Sequence, residues 1–355
     1  MFNETTVTTS DLVAVLTYYT RRNCSELILS IPDRGYWIDL ATIDLSTDVP
    51  RIYIENLRGE PTWLSQRSRD VARCCLLYSG IVSDTAVQSL RDEVLKYSGK
   101  SIRKPILYFD TSAYYTGTVH KLLQELPTDT WRYTLTGICS KALEEIANAV
   151  TRSRVGRELS TIQQTISGLP TKVMTILQGV PGLEGRRAQL ALYEIQLQRS
   201  CTPHIEIPSI EDKECSSDVV IVRSCGEYIR KNALVLEPYL ITADTKLAQV
   251  ASTYGIHVAL IRYPKPDQVL GKTHTTTYRA LSWLLTALTY TYLITKIKVG
   301  EVVRKDLTTY VLPQPKETYE EPSMLLLTPD TKLLNWIKLS KTIRREFTSQ
   351  ETKRQ

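Results

Sequence analysis

The chain reads as an α/β protein with a three-layer α/β/α core, a mainly parallel sheet covered by helices on both faces. Three observations predict it. Strand-length apolar runs alternate with segments in which apolar residues recur at helical spacing over residues 104–262. The run Ile106-Leu107-Tyr108-Phe109 is continuously apolar, as in a parallel strand buried on both faces. Two such runs end in an acid, Asp110 and Asp244, and in open sheets of this class ligands bind beyond the carboxyl ends of the strands.

Taken in order, residues 11–22 carry Leu12, Val15, Leu16 and Tyr19 on one helical face, with Ser10 or Asp11 as a cap. Residues 27–31, 36–40 and 51–55 are short β-prone runs separated by turn residues, and helices are expected at 64–78 and 83–97. The Gly-, Ser- and Lys/Arg-bearing stretch 97–104 marks a boundary, so residues 1–103 form a small α/β accessory domain. Beyond Asp110 come a helix at 118–125, a strand at 132–137 and a helix from Ser140 with Leu143, Ile146, Ala147 and Val150 on one face. Residues 151–215 read as a helical insertion, with Arg152, Arg154, Arg157, Arg186, Arg187 and Arg199 either meeting phosphates or forming a solvated face. A helix capped at Ser217-Asp218, a strand at 240–242, a helix at 245–254 closed by Gly255 and a strand at 256–261 complete the core. Residues 263–355 form a mostly helical C-terminal accessory region with a β-prone piece at 310–312 and a basic tail.

Length and composition set outer limits. A chain of 355 residues exceeds one typical domain, and 42% hydrophobic with 23% charged residues describes a packed globular protein. Lys and Arg number 44 against 38 Asp and Glu, a mild excess that suits a polyanionic partner without requiring one. The seven cysteines form no C-x-x-C pair and no zinc spacing with histidine, so buried thiols are expected. The uncharged stretch 280–295 is too short and too rich in hydroxyls for a membrane span, which favours a buried helix or helix plus strand. With no basic segment leading into an apolar one after Met1, a cytoplasmic location is expected.

Four segments share a pattern of acids at strand ends and helix starts. They are ILYFDTSAY at 106–114, KALEEIA at 141–147, SDVVIVRSCGEYI at 217–229 and LITADTKLAQVASTYGIHVAL at 240–260. In this order they resemble the PIN-domain nucleases, whose motifs place an acid after a hydrophobic strand, a second early in a helix, a third at a helix start and a fourth after Thr-x in a strand end. The resemblance covers close to half the chain; residues 1–103 and those beyond 262 resemble nothing further. It implies a PIN-like fold at 104–262 and Asp110, Glu145, Asp218 and Asp244 as catalytic ligands of Mg²⁺ or Mn²⁺. Thr111, Ser112 and Thr242 would orient those carboxylates. It also implies a metal-dependent ribonuclease, with RNA as the partner, DNA possible, and a homo-oligomer or protein complex open.

The chemistry is consistent with such a set. Mg²⁺ and Mn²⁺ prefer oxygen ligands, and carboxylates held close without a cation repel by about 4 kcal/mol per pair at roughly 4 Å in an effective dielectric of about 20. Glu144 adjoins Glu145, and neighbouring helical side chains point about 100° apart, so only one faces the site; Glu145 is favoured. Each acid also has a plainer role, since Asp110 and Asp218 are both good helix caps. His257 in an apolar run reads as a core residue, Tyr114 and Tyr115 as packing residues rather than base platforms, and Trp283 and Trp336 as core. No phosphate-cradling G-x-x-x-x-G-K-[ST] and no G-x-S-x-G occurs. The rival to the nuclease is a non-catalytic PIN-like module that binds nucleic acid or acts as a scaffold.

Overall fold

The computed structural model describes the chain except residues 1, 23, 34, 56–65, 98–100, 152–154, 170, 211–216, 233, 301–307, 315–319 and 353–355. The chain opens with β1 (Asn3–Thr8), α1 (Thr9–Arg21), β2 (Glu26–Asp33), β3 (Tyr36–Asp44), β4 (Arg51–Ile54), α2 (Gln66–Ser79) and α3 (Thr85–Leu95). It continues through β5 (Lys104–Phe109), α4 (Thr111–Tyr115), α5 (Thr118–Glu125), a 3₁₀ turn at Thr128–Arg132, β6 (Leu135–Cys139) and α6 (Ser140–Thr151). Next come α7 (Gly156–Ile166), α8 (Thr171–Gln178), α9 (Leu183–Cys201), β7 (His204–Ile207), α10 (Ser217–Asn232), β8 (Leu236–Thr242), α11 (Thr245–Thr253) and β9 (His257–Leu260). The last elements are α12 (Pro266–Val269), β10 (Lys272–Thr275), α13 (Tyr278–Tyr292), β11 (Thr295–Val299), β12 (Thr309–Pro313), β13 (Ser323–Thr328) and α14 (Thr331–Thr352).

The parallel sheet runs β7-β6-β5-β8-β9 with every pairing parallel. Its central strand explains its own composition. Leu107 and Phe109 enter a core with residues of α3, α5 and α9, while Ile106 and Tyr108 enter another with residues of α10 and α11. Both faces of β5 are therefore covered, and the apolar run needs no polar alternation. At Gly137 on β6, a Cβ would collide with the Tyr108 ring, so the bare backbone makes room for that side chain. The chain lays β5, β6 and β7 outward in one direction and then returns to place β8 on the other side of β5. The strand order thus reverses between β5 and β8, the position beside whose carboxyl ends open sheets of this class bind ligands.

The second sheet is antiparallel and eight-stranded, ordered β1-β13-β12-β11-β2-β3-β4-β10. Here the structure departs from the expected layout. The N-terminal and C-terminal regions are not two accessory units: β1 pairs β13 and β11 pairs β2, so both build one sheet. Helices α1, α2 and α13 cover one face, and α7 and α8, from the expected insertion, join a separate cluster with Leu312, Leu325 and Leu327. The rest of that insertion, α9 and β7, belongs to the parallel-sheet layer, as does α3 from the N-terminal region. The strand expected at 132–137 begins at Leu135, because Thr128–Arg132 closes a 3₁₀ turn first. Strands β1, β7, β10 and β13 were invisible to local periodicity, since short strands are specified by partners far away in sequence.

Among the described residues no helix is long and apolar enough to cross a membrane. The uncharged stretch becomes α13 and β11, and its hydroxyls are satisfied internally. Thr286 donates to Ser282 O at 2.9 Å and bonds Thr9 at 3.0 Å, while Thr289 donates to Thr295 at 3.2 Å. Leu293, at φ 68°, breaks the helix and turns the chain into β11.

Candidate functional site

Asp110 follows β5 and caps α4; Asp244 follows β8 and caps α11. Since β5 and β8 are paired neighbours, both acids stand at the carboxyl ends of the strands between which the order reverses. Asp110 is 4% exposed, and its carboxylate is held by short-range donors. Oδ1 accepts from the Ser112 amide at 2.9 Å, and Oδ2 accepts from the Ser112 hydroxyl at 2.7 Å and from the Thr242 hydroxyl. Thr242 in turn accepts from the Asp244 amide at 2.9 Å, and the Ser112 hydroxyl accepts from the Ala243 amide at 2.7 Å. Thr242 and Ser112 therefore lock the ends of β5 and β8 to each other. The Asp244 carboxylate faces its own helix, where Oδ1 accepts from the Lys246 and Leu247 amides at 2.7 and 3.2 Å.

Glu145 lies half-buried on α6, one turn and a half into the helix. Thr111 Oγ1 donates to its Oε2 at 2.7 Å, so the residue after Asp110 draws it toward the same edge. Glu144 turns outward instead and pairs with Lys141 at 3.0 Å, as the 100° step between neighbours requires. The helix that starts at Ser217-Asp218 forms as expected, but the Asp218 side chain falls outside the described residues. Thr111, Ser112 and Thr242 thus each bond a predicted acid. The described acids do not close up further: among the described residues no group of three or more His, Cys, Asp or Glu is gathered so as to hold a metal ion. The donor set fits a hard divalent ion in kind, being carboxylate oxygens oriented by hydroxyls and amides.

One further group beside the acids escaped the sequence reading. Cys139 ends β6 against the first turn of α6, with Cys225 of α10 beside it. A hydrogen bond from the Cys225 thiol, and amide donors from Lys141 and Ala142, hold the Cys139 thiol below the usual thiol range against its burial and against Glu145. Cys225 keeps its proton, raised by the same bond and by burial. No spacing rule singles out this pair; only a cysteine just before a helix start hints at it.

Other sequence readings need correction. Arg186 is fully buried and cannot meet phosphate. Its guanidinium donates to Tyr290 O at 2.5 Å, Thr291 O at 3.0 Å and Pro181 O at 2.7 Å, and pairs Glu158 at 2.6 Å. It terminates α13, where helix carbonyls lack internal donors. Arg199 pairs Glu206 at 2.6 Å, and Arg187 sits over the Tyr115 ring; Arg152 and Arg154, and the Arg157 side chain, lie outside the described residues. His257 is an exposed residue of the edge strand β9 bonded to Glu237 at 2.6 Å, not a core residue. Tyr114 is buried and donates to Gln198 at 2.7 Å, a packing role.

No family model, no curated protein and no solved structure matches the chain.

Proposed function

We propose that the chain is a PIN-like, metal-dependent nuclease that hydrolyses RNA phosphodiester bonds at the carboxyl edge of its parallel sheet. Asp110, Glu145, Asp218 and Asp244 would hold Mg²⁺ or Mn²⁺. The observation that carries this reading is the placement of Asp110 and Asp244 at the reversal of strand order, tied through Thr242, with Glu145 drawn in by Thr111. A bound divalent ion would supply activation of water and neutralisation of charge on the scissile phosphate.

The chain's own residues prepare that chemistry. Ser112 and Thr242 fix both oxygens of Asp110, so this carboxylate is oriented before any ligand arrives. Asp244 is held at its Oδ1 by the amides at the start of α11. Thr111 holds Glu145 by one oxygen in the same way. RNA as substrate, rather than DNA, rests on the PIN resemblance alone.

Labelled RNA incubated with Mn²⁺ or Mg²⁺ tests the reading. Cleavage by the wild-type chain, abolished by chelator and by Asp110→Asn, supports it; equal cleavage by both proteins, or none, sinks it. One observation favours a second reading, a non-catalytic PIN-like module that binds nucleic acid or acts as a scaffold. The described acids are occupied by amides and hydroxyls and form no three-membered group. RNA retention without cleavage, undiminished in Asp110→Asn, would select that reading.

A further inference from the structure

Arg186 and Arg187 are neighbours near the start of α9 and, at about 100° per residue, point in different directions. Arg186 turns into the fold toward α13, whereas Arg187 turns toward α4, where its guanidinium lies over the Tyr115 ring, 5.5 Å from the centroid. Tyr115 is the last residue of α4 and Asp110 is the cap of that helix, so the ring and the first acid of the proposed site share one short element. At about 1.5 Å per residue they are separated by roughly 7.5 Å along its axis.

The same edge of the parallel sheet supplies a further neighbour. Tyr263 follows β9, which runs parallel to β8, and so stands at the carboxyl ends with Asp110 and Asp244. Its phenol is raised chiefly by burial, with Cys74 and Asp110 adding to the effect and Arg187 opposing it, so Arg187 and Asp110 both act on one hydroxyl. Arg187, Tyr115 and Cys74 also line one small recess. Among the arginines of residues 151–215, Arg186 is committed to carbonyls and Glu158, and Arg199 to Glu206. Arg187 is half-buried and makes no ion pair among the described residues, although acids are near, because Asp110, Glu145 and Asp244 are held by hydroxyls and amides. A guanidinium stacked on a ring keeps its N–H edges open, and those edges match the oxygens of a phosphate in pairs.

We propose that Arg187, steadied by Tyr115, grips a backbone phosphate of the RNA strand that is cut at Asp110 and its partners. The inference takes its ligand from the nuclease reading and adds where the strand lies, across the end of α4 between α9 and the segment after β9. An arginine that only offset the negative charge of the acids would touch no phosphate, and salt separates the two roles. Each phosphate neutralised by a side chain releases condensed counterions, which adds about 0.7 to the slope of log affinity against log salt for a single strand.

Fluorescence anisotropy of a labelled oligouridylate titrated with the full chain tests it, in chelator so that nothing is cut and over a series of salt concentrations. Arg187→Gln should bind about tenfold more weakly than wild type at low salt and lower the slope by about 0.7. Arg187→Lys keeps the charge without the fork, so it should restore the slope and only part of the affinity. Tyr115→Leu should weaken binding in the wild-type background and not in Arg187→Gln, because the ring acts through the guanidinium. Melting of each variant confirms that it is folded. An unchanged slope in Arg187→Gln, or no RNA binding by wild type, would overturn the inference, and Mn²⁺-dependent cleavage by wild type would then leave the nuclease reading standing. A slope that falls in Arg187→Gln, in a chain that cleaves nothing, would instead keep the phosphate contact and remove the nuclease.

Discussion

The Thr242 hydroxyl donates to Asp110 Oδ2 while accepting from the Asp244 amide at 2.9 Å, so one buried side chain binds the ends of two adjacent parallel strands together. Because Asp110 is nearly inaccessible, the loss of that donor is not made good by water. Thr242→Val keeps the shape and removes the hydroxyl, and it should cost about 1–2 kcal/mol in urea unfolding. If the nuclease reading holds, RNA cleavage falls as well. Unchanged stability would mean that the bond contributes nothing.

Thr111 bonds Glu145 at 2.7 Å from a half-buried position, so its role is orientation more than packing. Thr111→Val should leave the melting transition within about 0.5 kcal/mol of wild type. Under the proposed function it should weaken Mn²⁺ binding by roughly 10–100-fold, as the loss of a group that orients a ligand does. An equal loss of stability and metal affinity would assign Thr111 to the fold instead.

Arg186 carries the end of α13 on its guanidinium, with Glu158 as its charge partner. Arg186→Met removes the donors and strands two helix carbonyls and a carboxylate, which should destabilise the chain by about 3 kcal/mol in denaturant titration. Arg186→Lys should not rescue it, because a point charge cannot reproduce the planar fork that reaches Tyr290, Thr291 and Glu158 together.

Lys121 is buried, with Nζ donating to Leu77 O at 3.0 Å, and burial pushes its amine down to about 8 despite Asp84 and Glu194. The unfolded chain holds this proton up to about 10.5, so between these values the unfolded state binds more protons than the native state. The burden is fully present below about pH 8 and is relieved as pH rises toward 10.5, a span worth roughly 3 kcal/mol. Lys121→Met should therefore gain most over wild type near neutral pH, and the gap should narrow above about pH 8. A stability difference that is flat with pH would show that the amine is not burdened by burial.

What the sequence made legible follows a physical divide. The parallel core announced itself because its central strand β5 is covered on both faces and α5 and α6 carry apolar stripes, so residues 106–109 and the helices 118–125 and 140–151 stand where periodicity puts them. The antiparallel sheet did not, because β1 and β13 pair across more than three hundred residues and no local pattern encodes the partner. Asp110, Glu145, Asp218 and Asp244, with Thr111, Ser112 and Thr242, came together only through the resemblance to PIN-domain motifs; hydrogen bonds join Thr111 to Glu145, and Ser112 and Thr242 to Asp110. The buried roles of Arg186 and of the His120–Glu194 pair were not legible, since burial of a polar residue depends on helices packed from distant parts of the chain.

The claim on which the functional account rests is that these separated carboxylates share a divalent cation. Mn²⁺ titration followed by electron paramagnetic resonance, on wild type, Asp110→Asn and Asp244→Asn, tests it most directly. The account predicts saturable binding to the wild-type chain that each substitution weakens by at least tenfold, with both variants still folded. Absence of specific Mn²⁺ binding, or binding that neither substitution changes, would contradict it.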